Sequence, residues 1–166
     1  MSKGVKLSVL EVGKTAQKEL RSNIIKDSSL NTDFISFNDR VFHNTLVALN
    51  GFFNYALTEK NIPSSRIYTV ISSGVKVQAE KEANQAWIQK LIDSFRIKIK
   101  EPSRTVEIID PINEARLSHL GIVPEERRYT TFLKEIGSCN TKAGKLKNVN
   151  TKNFRLFELT WGTKST

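Results

Sequence analysis

Apolar and polar residues alternate along the chain in short blocks that predict an α/β fold. Residues 7–13, LSVLEVG, are mostly apolar and end in a glycine, which predicts a buried strand followed by a turn. Residues 15–25 and the short segment 34–37 predict two further strands. The chain is therefore expected to open with a three-strand antiparallel meander.

Three amphipathic segments follow, and β-branched segments between them predict buried strands. The helices are expected at residues 38–60, 77–95 and 110–121. The strands are expected at residues 66–74 and 105–109. Asp110 can cap the third helix because Pro111 then falls in its first turn, where the missing N–H costs nothing. Helices that alternate with buried strands predict a mixed sheet with helices on both faces.

The opening pattern restarts after residue 128. Residues 129–137, 140–146 and 152–159 predict a second β-meander. We therefore expect two domains, one at residues 1–124 and one at residues 128–166. A meander of only three strands leaves apolar surface exposed unless it packs on something, so a homodimer is one expected way to cover it.

The two meanders open with similar sequences. LSVLEVGKTAQK (7–18) and TFLKEIGSCNTK (131–142) share apolar residues, a glutamate, an aliphatic residue, a glycine, then small polar residues, a threonine and a lysine. A glycine between two strands lets the backbone approach a phosphate closely and offer its N–H groups. Each copy also fits an ordinary β-hairpin with a glycine turn, so the repeat alone leaves both interpretations open.

The side chains around these two glycines have the chemistry of a phosphate site. Four of them carry hydroxyl or amide groups that can donate to phosphate oxygens. They are Thr15, Ser138, Asn140 and Thr141. Glu11 and Glu135 each stand two residues before the glycine of their loop, where a carboxylate can hold a divalent cation or its waters.

The composition indicates which classes of ligand the protein favours, but it does not identify one ligand. A formal net charge of +9 and a pI of 9.7 favour polyanions, although surface lysines also keep a protein soluble. One cysteine excludes an intramolecular disulfide, and with only two histidines a zinc site is not expected. The chain has neither an apolar run of roughly 20 residues nor a signal-peptide pattern. We therefore expect a cytoplasmic protein without a membrane partner.

Four segments, in order along the chain, resemble the exopolyphosphatase and guanosine pentaphosphate phosphohydrolase family of the actin-like ATPase superfamily. They are LEVGKT (10–15), VISSGVKVQAEK (70–81), VEIIDPINEARLSHLG (106–121) and LKEIGSCNTKAG (133–144). The stretch INEARLSHLG is the most specific of these motifs, whereas each glycine loop is weak by itself. The resemblance covers nearly the whole chain.

The resemblance implies an actin-like, ribonuclease H-like lobe at residues 1–124 and the first β-meander of an incomplete second lobe at residues 128–166. It also implies a phosphoanhydride hydrolase that binds polyphosphate, or a guanosine or adenosine phosphate, between two glycine loops. The implied phosphate-binding residues are Gly13, Lys14, Thr15, Lys76, Gly137, Ser138, Asn140 and Thr141. Glu114 is the implied general base for the attacking water. Glu135 is implied to be catalytic and, with Glu11, to hold Mg²⁺.

Several residues depart from the family's pattern. Glu11 and Glu135 replace the loop aspartates and reach about one methylene further, which shifts any metal or water contact. Lys14 replaces a serine, and it can either bind phosphate as a point charge or fill the metal site. Asn113 replaces the first glutamate of the family's Glu-Glu pair. The alternative function is therefore a non-catalytic actin-like module that senses a nucleotide or phosphate, or binds a protein.

Nucleic acid is the least favoured partner at this point. The basic residues are spread widely along the sequence. The aromatic residues do not interleave with them as a stacking platform would require. Binding through the net charge alone stays open, and it would be strongly salt-dependent.

Overall fold

The structure is a computed structural model that describes residues 4–12, 23–137, 141–159 and 161–162. The chain divides into two compact units that interleave in sequence. Residues 2–69 and 84–106 form the first, which we call the hairpin unit. Residues 70–83 and 107–166 form the second, which we call the meander unit. The domain ranges expected from the sequence, 1–124 and 128–166, stay a prediction.

The hairpin unit contains two antiparallel strands and two helices. Strands β1 (Gly4–Glu11) and β2 (Asn23–Asn31) pair in register from Gly4 opposite Asn31, with a shift between Val9 and Leu10. Helix α1 (Asp39–Asn54) begins where the Asn38 side chain accepts the Val41 N–H, at 3.1 Å, and it runs into a π-helical turn at Tyr55–Glu59. The helix expected at residues 38–60 is thereby confirmed.

Two expectations for the opening meander and the second helix were wrong. Residues Phe34–Ser36 form a 3₁₀ turn, because Asp33 and Phe37 on either side have positive φ angles of 49° and 40°, which a strand cannot contain. Within the residues that the structure describes, the opening sheet therefore has two strands. The single helix expected at 77–95 is two helices, α2 (Ser73–Lys81) and α3 (Gln85–Lys98), separated at Ala83, whose φ is 54°.

Helices α1 and α3 pack together and form the core of the hairpin unit. Phe53 on α1 and Phe95 on α3 are both buried and meet edge to face, with ring centroids 5.9 Å apart. The Arg104 guanidinium lies 4.6 Å from the Phe53 ring and donates to the carbonyls of Ile67 (2.7 Å) and Ser64 (3.0 Å). Arg104 therefore ties together the two loops that lead into the next pair of strands.

Those two strands form a second small sheet, most of which belongs to the meander unit. Strand β3 (Thr69–Ile71) pairs with β4 (Val106–Ile108), and beyond them the Ile109 N–H donates to the Ile71 carbonyl at 3.0 Å. Each strand leads directly into a helix, β3 into α2 and β4 into α4 (Pro111–Ile122). The third helix expected from the sequence is confirmed, including its Asp110 cap, which accepts the Asn113 N–H at 2.7 Å.

The second meander is confirmed. Strands β5 (Leu133–Ile136), β6 (Thr141–Leu146) and β7 (Phe154–Leu159) form an antiparallel sheet in sequence order. Side chains alternate between its two faces. One face, which we call the inner face, packs on α4. Its contacts join Leu146, Phe154 and Leu156 of the sheet to Ala115 and Leu120 of α4.

The described part of the chain therefore has three separate sheets rather than one mixed sheet. It is a mixed α/β structure, as expected. Of the second predicted strand, 15–25, the structure describes only residues 23–25, which form the start of β2. Residues 13–22 lie outside the described residues. Among the described helices, none has the length and apolar character needed to cross a bilayer.

Candidate functional site

Three side chains of the meander unit meet at the first turn of α4. Because Asp110 caps that helix, Glu114 falls in its first turn. Glu114 Oε2 accepts the backbone N–H of Ser73 at 2.9 Å, and Glu114 Oε1 lies 2.8 Å from Lys142 Nζ. Lys142 Nζ also donates to Ser73 Oγ at 3.3 Å. The start of α2, the start of α4 and the centre of the sheet are thus joined by one ion pair.

This ion pair is largely removed from water. The side chain of Lys142 is 5% exposed and that of Glu114 is 27% exposed. Ser73 is completely buried. A buried ammonium is tolerated only when it is paired and hydrogen-bonded, and Glu114 and Ser73 supply both conditions.

The environment keeps Glu114 ionised. Burial raises the pKa of its carboxyl, but the hydrogen bonds from Lys142 and Ser73 and the charge of Lys142 outweigh burial, so the pKa lies below its ordinary value of 4.5. A carboxylate with a lowered pKa is a weaker base than an ordinary glutamate. These contacts indicate that Glu114 serves as the counter-charge of Lys142 and not as a proton acceptor.

The lowered pKa of Glu114 predicts a specific acid response. A group whose folded pKa is depressed contributes stability above its unfolded pKa, and this contribution is lost as the pH falls through the folded value. We expect wild type to be more stable than Glu114→Gln at neutral pH, and the gap between their free energies of unfolding to narrow below pH 4.5. Urea titrations at a series of pH values measure this gap.

The control for this titration is Glu107→Gln, which removes an exposed carboxylate of β4 in the same unit. Because this carboxylate is exposed, its removal should change the free energy of unfolding by much less than Glu114→Gln does at neutral pH. A gap between wild type and Glu114→Gln that stays constant down to about pH 3 would contradict the ion-pair account.

Two further carboxylates flank Lys142 in the sheet. In the strand register, Glu135 of β5 and Glu158 of β7 stand directly opposite Lys142 on its two sides. Residues opposite one another on antiparallel strands share a face, so all three side chains belong to the inner face. Glu135 Oε2 is buried and has no hydrogen-bond partner within the described residues.

The donors around Glu135 do not fit a divalent cation. Magnesium requires near-octahedral oxygen ligands at about 2.1 Å, whereas here the Lys142 ammonium already lies beside Glu114 and would repel a second cation. No group of three or more histidine, cysteine, aspartate or glutamate residues within the described ranges could hold a metal. Glu11 ends β1 in the hairpin unit. Magnesium binding by Glu11 and Glu135 stays a prediction.

Several of the phosphate-binding residues expected from the sequence lie in described parts of the meander unit. Lys76 lies in the first turn of α2, and its Nζ atom is 3.6 Å from Glu80 Oε1. The pKa of Asp110 is lowered mainly by the hydrogen bond from the Asn113 backbone N–H, and the charge of Lys76 adds to this effect. Thr141 Oγ1 donates to the Trp161 carbonyl at 2.8 Å. Gly137 directly follows β5.

The remaining phosphate-binding residues lie outside the described residues. They are Gly13, Lys14, Thr15, Ser138 and Asn140. Their roles, and those of Glu114 and Glu135 in catalysis, stay predictions. The sequence patterns indicate no role for Ser73 or Lys142, although the motif VISSGVKVQAEK contains Ser73 and the lysine that ends the loop repeat is Lys142.

Comparison with solved structures identifies proteins that share this mixed α/β fold. The chain matches the crystal structure of the type II variant of the Aquifex aeolicus Ppx/GppA phosphatase at 14% identity and a TM-score of 0.64, over 98% of this chain and 50% of that one.

Two other solved structures are similar to a comparable extent. The chain matches the Aquifex aeolicus member of the Ppx/GppA protein family at 15% identity and a TM-score of 0.62, over 95% of this chain and 47% of that one. It matches an exopolyphosphatase from Cytophaga hutchinsonii at 15% identity and a TM-score of 0.59, over 95% of this chain and 47% of that one.

These matches confirm, at the level of the fold, the resemblance found in the sequence motifs. Sequence identities of 14–15% establish a shared fold and leave the activity to be argued from the site. The chain spans about half the length of the solved structures that it matches. No protein-family model matches the chain, and no curated protein sequence matches it.

Proposed function

We propose that this chain is a phosphate-binding module that holds polyphosphate, or a guanosine or adenosine phosphate, without hydrolysing it. The fold it shares with Ppx/GppA phosphatases and an exopolyphosphatase supports phosphate as the ligand. The observation that carries the absence of hydrolysis is the 2.8 Å ion pair between Lys142 and Glu114.

The ion pair opposes a role for Glu114 as general base. A general base works best when its pKa lies near the working pH and one of its oxygens faces the water that it activates. Both Glu114 oxygens already accept hydrogen bonds within the protein, and its pKa is lowered. Freeing Glu114 would also break its 2.8 Å contact with the buried Lys142 ammonium, which is costly even though Glu135 and Glu158 stand on either side of that lysine.

In the proposed binding role, residues outside the Lys142–Glu114 ion pair contact the phosphate. Lys76 stands in the first turn of α2, where a cation and the helix N-terminus both favour an anion. The net charge of +9 draws polyanions toward the protein. Gly137 and the loop that follows it complete the proposed contacts. Lys142 adds no net positive charge at the inner face, because Glu114 neutralises it. The attraction for phosphate therefore comes from Lys76 and the N-terminus of α2, and this proposal invokes no divalent cation.

A hydrolase with Glu114 as general base is the second candidate. The names of the matched structures, a phosphatase and an exopolyphosphatase, favour it. It requires Glu114 to exchange Lys142 for a water molecule when the ligand binds. The two candidates therefore differ in one measurable property, the release of inorganic phosphate.

Isothermal titration with sodium tripolyphosphate tests the binding role. We expect heat of binding in EDTA, without any divalent cation. Lys76→Gln should weaken binding by about tenfold, the loss typical of one charge-assisted contact. Lys81→Gln removes an exposed lysine at the other end of the same helix and serves as the matched control.

Two results would count against the binding role. An absence of binding in both EDTA and Mg²⁺ would reject it outright. Equal weakening by Lys76→Gln and Lys81→Gln would mean that tripolyphosphate binds through overall charge rather than at this site.

A further inference from the structure

The face of the three-stranded sheet opposite α4, which we call the outer face, carries exposed side chains on β5, β7 and at Lys145 of β6, whereas Thr141 and Ala143 of β6 are buried. The strand register defines it, because residues opposite one another share a face. Lys134, Ala143 and Phe157 form one row across the sheet, and Ile136, Thr141 and Leu159 form the next. Lys145 and Arg155 stand opposite each other in a third row.

Aromatic rings lie open on this face. Phe132, which precedes β5, is 52% exposed and meets Phe157, which is 46% exposed, with ring centroids 5.6 Å apart. Ala143, which lies in the same row as Phe157, has a small side chain and is buried. The Arg155 guanidinium lies 5.1 Å from the Phe157 ring centroid.

The backbone of a third aromatic residue, Trp161, meets one end of the outer face. Thr141 Oγ1, an outer-face hydroxyl, donates to the Trp161 carbonyl, and the Trp161 side chain is 77% exposed. Open aromatic faces on a sheet are the surfaces on which unpaired nucleobases stack, because every base has a π-face.

Charge is sorted between the two faces of the sheet. Lys134, Lys145 and Arg155 are exposed on the outer face. The two acidic residues of strands β5, β6 and β7, Glu135 and Glu158, stand opposite Lys142 and so belong to the inner face. Among the strand residues that the structure describes, the charged side chains of the outer face are therefore all basic, and they lie beside Phe157. Cations next to exposed rings match the phosphates and bases of a single strand.

We propose that the outer face binds single-stranded nucleic acid, with bases stacked on Phe132 and Phe157 and backbone phosphates near Lys134, Lys145 and Arg155. The sequence order hides this arrangement, since the rings and cations interleave only when the three strands pair. A second copy of the chain fits less well, because the same three cations would face one another across a symmetric interface. The proposal is independent of Glu114 and of the proposed phosphate site.

Fluorescence anisotropy with a labelled oligothymidine of about 12 nucleotides tests the proposal, a length within the range that one stacking surface covers. We expect Phe157→Ala to weaken binding by about tenfold, the loss typical of one stacked base. Tyr68→Ala removes an 85% exposed ring from the hairpin unit and should change affinity less than twofold. Phe157 is exposed, so its variant should keep the fold, which circular dichroism checks.

An abasic oligonucleotide of the same length separates stacking from charge. We expect it to bind about tenfold more weakly than oligothymidine. Arg155→Gln should weaken binding and reduce the slope of log affinity against log salt concentration by about one. Lys98→Gln in the hairpin unit is the control, and it should weaken binding less than Arg155→Gln does.

Three outcomes would overturn the proposal. The first is an absence of oligothymidine binding at low salt. The second is equal affinity for the abasic and thymidine strands, which would mean that charge alone drives binding. The third is a Phe157→Ala variant that binds normally but loses self-association in sedimentation, which would place a second copy on this face.

Discussion

Replacing Lys142 by methionine is expected to lower the free energy of unfolding by about 3 kcal/mol, because removing one partner of a buried ion pair leaves the other charge without compensation. The side chain of Lys142 is 5% exposed, and Glu114 keeps 27% exposure and the Ser73 N–H. These remaining contacts place the effect at the lower end of the usual range. Chemical denaturation of the wild type and the variant measures it.

A second substitution separates the ion pair from simple packing loss. Glu114→Gln in the Lys142→Met background removes the stranded charge while keeping an acceptor for the Ser73 N–H, so the double variant should recover most of the lost stability. The matched control is Lys6→Met, which breaks an ion pair with Asp27 whose side chains are 63% and 48% exposed. It should have a much smaller effect. Equal losses for Lys142→Met and Lys6→Met would contradict the ion-pair account.

Gly144→Ala is expected to destabilise the meander unit by about 3 kcal/mol, the cost of overfilling a packed interior. A Cβ atom at Gly144 would collide with the carbonyl oxygen of Arg155 and the ring of Phe154. The collision involves backbone of the neighbouring strand, so relief requires β6 and β7 to separate. Thermal unfolding followed by circular dichroism measures the loss.

The control for this prediction is the same substitution at Gly121. A Cβ atom there meets no atom within 4 Å, and the residue lies in α4. Alanine is the better helix former, so Gly121→Ala should gain about 0.5 kcal/mol. A loss of stability at Gly121 as large as the loss at Gly144 would mean that packing under Phe154 does not explain the effect.

The sequence predicted those elements whose local signals and tertiary packing agree. Helix α4 begins and ends close to the expected residues because Asp110 caps it and Pro111 fits its first turn. The β5–β7 meander was predictable because successive side chains along its strands alternate between the two faces of the sheet. In contrast, residues 34–37 are as apolar as a strand but turn, because Phe34 and Phe37 are buried together at an edge-to-face distance of 5.7 Å.

The position of Ala83 shows a second limit of local patterns. Apolar residues recur through 77–95 as they would in one helix, and no glycine or proline interrupts them. The structure nevertheless breaks the helix at Ala83, whose φ is 54°. A left-handed alanine is locally unfavourable. Left-handed residues at helix ends are usually glycine, so an alanine at this position gives no signal of the break in the sequence.

The sequence predicted one member of the candidate site, Glu114, but not its pairing with Lys142. Glu114 was identified through the INEARLSHLG motif, and its placement in the first turn of α4 follows from the Asp110 cap. Lys142 was visible as the lysine that ends the loop repeat, but its partner was not. Strand alternation places Lys142 on the same face as Leu146, and a lysine on a buried face requires a counter-charge. Which carboxylate supplies it depends on how α4 packs on the sheet.

Phosphorus-31 NMR of tripolyphosphate mixed with the wild-type protein tests most directly whether the chain binds phosphate without cleaving it. Spectra are collected over hours in EDTA and again with Mg²⁺. We predict that the tripolyphosphate signals shift or broaden on addition of protein and that no orthophosphate signal grows in either buffer. Growth of an orthophosphate signal that Glu114→Gln abolishes would contradict the account and establish Glu114 as a general base.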